Sequence, residues 1–137
     1  MIPLSVVPGV KEQVYELLKH EFNLSSVNKR DQVFVETTED GSILKGLYII
    51  SNRVALLGIK GPWITNIGVN PKFRRRGIAT KMLRDAIKYR DKLFLWSAEP
   101  IIFPILLEYG FKFVGSSIFP GHDTLVAVFK FTKQKLD

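Results

Sequence analysis

The chain has 137 residues, 46% of them apolar and 24% charged, with a formal charge of +7. That length and balance predict a single folded domain over residues 1–137 with one sizeable core, and exclude a disordered chain. No cysteine is present and only two histidines, His20 and His122, stand far apart. Disulfides, thiolate catalysis and cysteine zinc sites are therefore excluded, and a histidine-based metal site is disfavoured. The basic balance favours anionic partners without choosing among them. No apolar run approaches the roughly 20 residues that span a bilayer, and the first ten residues do not read as a signal peptide, so a cytoplasmic protein is expected.

In chain order, Met1 to Val7 reads as a short edge strand broken by Pro8-Gly9. A helix follows from about Val10 to Phe22, with Val10, Val14, Leu17, Leu18 and Phe22 on one face. His20, near its C-terminal end, reads as a surface residue. Residues 23–30 are polar and read as a loop. Gln32 to Thr38 is strand-like, Asp40-Gly41 signals a tight turn, and Ile43 to Ile50 returns, with Gly46 marking a bulge or a close contact. Val54 to Ile59 reads as another strand, ended by Gly61-Pro62. Trp63 to Val69 then completes an antiparallel meander. Gly68, inside that strand, predicts a bulge that frees the backbone of residues 67–69.

A basic turn, Asn70-Pro71-Lys72-Phe73-Arg74-Arg75-Arg76-Gly77, leads into a helix from Ile78 to Arg90. Its apolar residues at 78, 79, 82, 83, 86 and 87 form one stripe. Cations beside a helix start oppose the helix dipole by roughly 0.3–1 kcal/mol each. A bound phosphate would reverse that sign, because backbone N–H groups and guanidinium forks would converge on it. A solvated basic turn, with Gly77 serving only its own geometry, is the alternative. Lys92 to Ala98 reads as a buried parallel strand. Glu99-Pro100 opens a helix that Pro104 begins or kinks and Gly110 ends. Phe111 to Ser117 and Thr124 to Thr132 close the chain as two strands around Pro120-Gly121.

The unit Arg74-x-x-Gly77-x-Ala79, opening a helix directly after a strand ending Ile67-Gly68-Val69-Asn70-Pro71, resembles the acetyl-CoA-binding motif of the GNAT acetyltransferase superfamily. That motif is written Q/R-x-x-G-x-G/A. No Gly-Lys-Ser/Thr follows, so it is not a nucleotide P-loop. The resemblance is sharp over residues 63–90, moderate over 92–115 and architectural elsewhere. It implies a mixed α/β fold: a mostly antiparallel sheet whose central parallel strand pair splays around the cofactor. It implies acetyl transfer from acetyl-CoA to a primary amine of a small molecule or protein, with no metal. The cofactor would be held by the backbone of Ile67, Gly68 and Val69 and by the turn Arg74, Arg75, Arg76, Gly77, Ile78, Ala79 and Thr80.

The catalytic pattern departs from the family. The position four residues before Gly110-Phe111, where many members carry a tyrosine acid, is Leu106. An asparagine that contacts the cofactor in many members is matched by about Glu99. Tyr109 is the nearest phenol and the candidate acid. The upstream half of the central strand offers Trp63, Thr65 and Asn66 rather than a glutamate, which leaves Glu36 as the candidate base and His122-Asp123 as a further one. Two other readings follow from these departures and from the charge: an acyl-CoA-binding regulatory module without turnover, and a nucleic-acid-binding protein. The second is disfavoured because the aromatics do not interleave with the basic residues. Exposed sheet edges leave a homodimer open.

Overall fold

A computed structural model describes residues 2–4, 7–53, 56–119 and 123–134. Its seven strands are β1 (Ile2–Pro3), β2 (Gln32–Thr37), β3 (Leu44–Ser51), β4 (Trp63–Val69), β5 (Lys92–Ser97), β6 (Phe111–Phe119) and β7 (Thr124–Thr132). They form one sheet in the order β1-β2-β3-β4-β5-β7-β6. All neighbours are antiparallel except β4 and β5. The helices are α1 (Lys11–Phe22), α2 (Ile78–Lys88) and α3 (Phe103–Glu108). The mixed α/β fold implied by the motif is the one observed.

Each helix is seated by its apolar stripe. Val14, Leu17 and Leu18 of α1, with Val10 before it, pack on Val35, Leu44, Leu47 and Ile49. On the opposite face Ile78, Met82, Leu83 and Ala86 of α2 meet Tyr48, Ile50, Ile64 and Leu95. Each such aliphatic side chain stabilises the fold by roughly 1.5–3 kcal/mol when fully buried. The α1 helix ends at Asn23, whose N–H donates to the Lys19 carbonyl at 3.1 Å and whose left-handed backbone (φ 53°) lets the next N–H, of Leu24, reach the Leu18 carbonyl at 3.2 Å.

Several expectations need correction. The stretch read as a strand over Val54 to Ile59 is a tight turn in its described part, residues 56–59. Leu56 and Ile59 bridge across Leu57 and Gly58, both at positive φ. Val54 and Ala55 lie outside the described residues. The bulge expected at Gly68 is elsewhere, because Gly68 is in register with Leu47. The extra residue of β4 is Thr65: Ile49 faces Asn66, whereas Ile50 faces Ile64. Gly68 is instead a packing glycine, since a Cβ there would lie 3.2 Å from the Phe22 ring and 3.5 Å from Leu17. Gly46 is a close contact, with a built Cβ 2.9 Å from the Gly68 carbonyl oxygen, and the neighbouring residue Lys45 is the extra one against β2. Of the two outcomes expected for Pro104, the structure shows the first: it begins a helix rather than kinking one. It occupies the first turn of α3, where a missing N–H costs nothing, after a 3-10 turn at Pro100–Ile102.

Candidate active site

The site starts from the one parallel pairing. β4 and β5 are in register only at Trp63↔Phe94 and Ile64↔Leu95. Beyond that point β5 stays with β7 as far as Ser97↔Ala127, and β4 stays with β3 as far as Val69↔Gly46. The extra residue at Thr65 lies where the two strands part, and a bulge bends its strand and increases its local twist. A gap between the last residues of the two strands results.

Peptide alternation sets what the gap is lined with. Asn70 N–H donates to the Lys45 carbonyl at 2.8 Å. Counting back in twos along an antiparallel ladder, Gly68 and Leu47 form the next hydrogen-bonded pair. The N–H and C=O groups of Ile67 and Val69 therefore face away from β3, toward the gap. Asn70 also fixes the exit from β4. Its side chain donates to the Leu44 carbonyl at 2.8 Å and accepts from Lys72 N–H at 3.1 Å, which starts the 3-10 turn Pro71–Phe73.

At the end of that turn the backbone passes through two left-handed residues, Arg75 (φ 63°) and Gly77 (φ 74°). Gly77 is the cap residue of α2, and no side chain caps its N–H groups. A Cβ added at Gly77 would meet nothing within 4 Å, so the space before the helix is open. The first turn of α2 holds no acidic residue. Its unpaired N–H groups and dipole thus remain uncompensated by the helix's own side chains.

These features converge on one cavity of about 540 Å³. It is lined by Ile67, Gly68, Val69, Arg74, Arg75, Gly77, Ile78, Ala79 and Thr80, together with Glu21, Phe22 and Glu99. Of the residues singled out from the sequence for the cofactor, Arg76 alone is elsewhere. Its guanidinium lies over the Phe73 ring, 5.3 Å from the centroid, and it lines a separate depression with His20. Arg74 is in an ion pair with Glu21, the penultimate residue of α1. The contact joins positions 53 residues apart, and the local sequence pattern carries no sign of it.

A second cavity, of about 620 Å³, adjoins the first, and Phe22 and Glu99 line both. Thr65 and Asn66 line it as well, although they are consecutive strand residues. Ordinary alternation would send them to opposite faces, and the bulge at Thr65 turns both inward. The Trp96 and Phe119 rings, both in its lining, pack against each other at a tilt with centroids 5.2 Å apart. Asp31 is bound by Arg53 through two bonds, 2.9 and 2.8 Å. Burial acts to raise the Asp31 carboxyl, and the Arg53 and Ser51 hydrogen bonds outweigh it and hold it below the ordinary value.

The two catalytic candidates line neither cavity. Glu36 forms an ion pair with Lys81 on the α2 face of the sheet. Tyr109 lies beside Arg84, which donates to its hydroxyl at 3.2 Å and stacks on its ring at 5.3 Å. Leu106 is buried among Ile78, Met82 and Phe111, so the position of the family's tyrosine is part of the core. His122 lies outside the described residues.

The sequence matches the family model for acetyltransferase (GNAT) over residues 12–99. The chain belongs to the GNAT acetyltransferase family. It is an acetyl-CoA-dependent N-acetyltransferase. No curated protein matches the sequence. Among solved structures it is similar to an aminoglycoside 6'-acetyltransferase type Ii, at 19% identity and TM-score 0.64 over 91% of this chain and 90% of that one. An aminoglycoside 6'-N-acetyltransferase complexed with coenzyme A aligns at 16% identity and TM-score 0.65, over 95% and 94%. The ribosomal-protein-S18-alanine N-acetyltransferase from Escherichia coli aligns at 16% identity and TM-score 0.63, over 97% and 91%. At these identities the agreement concerns the fold. Among the described residues, no helix is long and apolar enough to cross a membrane.

Proposed function

We propose that this acetyltransferase holds acetyl-CoA in the cavity between β4 and β5 and passes the acetyl group to a primary amine entering from the adjoining cavity. The observation that carries the reading is the common lining of one cavity by the gap-facing strand end, Ile67 to Val69, and the basic turn from Arg74 to Thr80. The N–H groups at the start of α2 and the Arg74 and Arg75 guanidiniums receive the pyrophosphate. The gap-facing peptide groups of Ile67 and Val69 are matched to an amide-bearing pantetheine arm. The N–H of Val69 is the donor available to the oxyanion that forms when the thioester carbonyl is attacked.

The amine nitrogen bonds to the acetyl carbon, the carbon–sulfur bond breaks, and the sulfur leaves as a thiolate that takes up a proton. The amine must reach the carbon unprotonated. The core leucine at 106 and the distance of Tyr109 from the cavity leave the thiolate to be protonated by solvent. The named solved relatives act on different acceptors, an aminoglycoside in one case and a protein alanine in another. The acceptor class proposed here is correspondingly broad: a small-molecule or protein amine. Calorimetric titration with acetyl-CoA and with CoA tests the cofactor site, and thiol release with a panel of amines tests turnover. Saturable binding that raises the melting temperature supports the reading. A folded protein with neither heat nor thermal shift overturns it.

A further inference from the structure

The second cavity carries more information about the acceptor than the family does. Its charged lining residues are Asp31, Arg53 and Glu99. Asp31 and Arg53 neutralise one another. Glu99 makes no side-chain hydrogen bond or ion pair among the described residues, and its own N–H is satisfied by Ser97 Oγ at 3.0 Å. Among the described residues, one carboxylate without a side-chain partner therefore stands at the junction of the two cavities, on a chain whose net charge is +7. In the same lining stand Thr65 and Asn66 of the bulge, with a hydroxyl and an amide, and the Trp96–Phe119 pair supplies an apolar wall.

We propose that the acceptor is an α-amine with an adjoining carbonyl and an apolar side group, its ammonium drawn to Glu99. The assignment rests on the acetyl-transfer reading above and narrows it. Among the described lining residues one carboxylate without a partner matches one positive charge, so a polyamine would face a surface of its own sign. The carbonyl beside the amine finds donors in Asn66 and Thr65, and the side group finds Trp96 and Phe119. The proton balance points the same way. Neither Glu36 nor Tyr109 reaches either cavity. An acceptor that loses its proton to water is then favoured. At pH 7 an α-amine is about one-tenth neutral, while a lysine side chain is about 0.04% neutral, a difference of roughly 300-fold. The ammonium releases one proton to solvent before attack. A second leaves the nitrogen as the amide forms, and the departing thiolate takes up one. Peptide N-termini and small amino-acid amides share this chemistry.

The test is thiol release from acetyl-CoA by the wild-type protein with phenylalaninamide, a tripeptide beginning with phenylalanine, glycinamide, Nα-acetyl-lysinamide and spermidine. Phenylalaninamide or the tripeptide is expected to exceed the other three in kcat/KM by at least about tenfold, with acetyl found on the α-nitrogen by mass spectrometry. A marked advantage of the tripeptide identifies a peptide N-terminus as the source, and equality identifies a free amino-acid derivative. Glu99→Gln is expected to raise KM for the amine about tenfold without weakening calorimetric acetyl-CoA binding, since the change removes a carboxylate from the lining that the two cavities share, and Glu99→Asp is expected to restore the amine KM in part. Equal use of the lysine ε-amine or of spermidine overturns the assignment, as does an unchanged amine KM in Glu99→Gln. Absence of acetyl-CoA binding in the wild type would count against the cofactor site itself. Acetyl-CoA binding without acetylation of any α-amine would overturn only the acceptor class.

Discussion

Gly77 allows folding and cofactor binding to be driven in opposite directions by one atom-for-atom change. Its backbone is left-handed (φ 74°), and the space beside its α-carbon is open. Asn and Asp both tolerate that conformation better than other side chains and nearly match in shape, so Gly77→Asn and Gly77→Asp share any strain, about 1 kcal/mol. They differ by a charge. For folding, a carboxylate at the start of α2 is favourable, because the first turn holds no acidic residue; the gain is roughly 0.3–1 kcal/mol. For a pyrophosphate at the same place the carboxylate is repulsive. Two unit charges roughly 5 Å apart interact by about 0.8 kcal/mol at the dielectric of water and about 3.3 kcal/mol at an effective value of 20. Acetyl-CoA affinity should therefore fall by about fourfold to about 250-fold in Gly77→Asp relative to Gly77→Asn, while its melting temperature is equal or higher. Calorimetry at low and at physiological salt reads the first quantity and thermal unfolding the second. The difference in affinity should shrink as salt rises. Equal affinities in the two variants at low salt would refute an anion site at the start of α2.

Further variants probe the rest of the frame. Glu21→Gln should tighten acetyl-CoA binding by about three- to tenfold in calorimetry, because it frees Arg74 and removes a carboxylate from the cavity lining. Arg75→Ala should weaken that binding and Arg76→Ala should not, since Arg76 is stacked on Phe73 outside the cavity. Gly46→Ala should be more destabilising in chemical unfolding than Gly68→Ala, at roughly 3 against roughly 1 kcal/mol. The first forces a Cβ to 2.9 Å from a backbone oxygen, the second to 3.2 Å from the edge of the partly buried Phe22 ring. The Asp31–Arg53 pair should make stability fall in acid. Because the Asp31 carboxyl is depressed below its ordinary 3.8 in the fold, its contribution is complete above about pH 5 and is lost as pH drops through the depressed value. Asp31→Asn should flatten that part of the stability–pH curve.

The strand, basic turn and helix from Trp63 to Lys88 were legible because their determinants are local. The apolar stripe of α2, the Pro71 that starts its 3-10 turn and the glycine at a left-handed cap each announce themselves within a few residues. The errors arose where position depends on partners far along the chain. Gly68 looks like a bulge to any local rule, yet it is small because α1 lies against it, and the extra residue is the unremarkable Thr65. Val54 to Ile59 has strand composition, but Leu57 and Gly58 adopt positive φ and turn the chain before a strand can form. Glu36 stood out as a charge in an apolar strand. Its partner Lys81, 45 residues away, accounts for it on the face opposite to the acceptor cavity.

The same distinction explains why the cofactor half of the site was legible and the acceptor half was not. The cofactor half is backbone and turn, built from contiguous residues 67–80, and its chemistry follows from helix ends and peptide alternation. The acceptor half is assembled from the end of α1 and its following loop, the bulge of β4, the end of β5 and the tips of β6 and β7. Apart from the tips of β6 and β7, these parts are far from one another along the chain, and each residue reads alone as an ordinary surface or core position. Thr65 and Asn66 become neighbours on one wall only because one residue is inserted in β4. The insertion lies where β4 leaves β5, so a single irregularity accompanies both the gap on one side and the paired polar side chains on the other. Deleting Thr65 should leave Ile49↔Asn66 and Ile50↔Ile64 as consecutive pairs, so that β4 runs in unbroken register with β3, every remaining residue keeps its face, and the bend that the bulge puts where β4 leaves β5 is lost. Such a variant would lose the alignment of the cofactor gap with the acceptor wall even where the sheet still formed. Loss of acetyl transfer in a Thr65 deletion, with Thr65→Ala nearly unaffected, is the signature that separates the geometry of the bulge from the chemistry of its side chain.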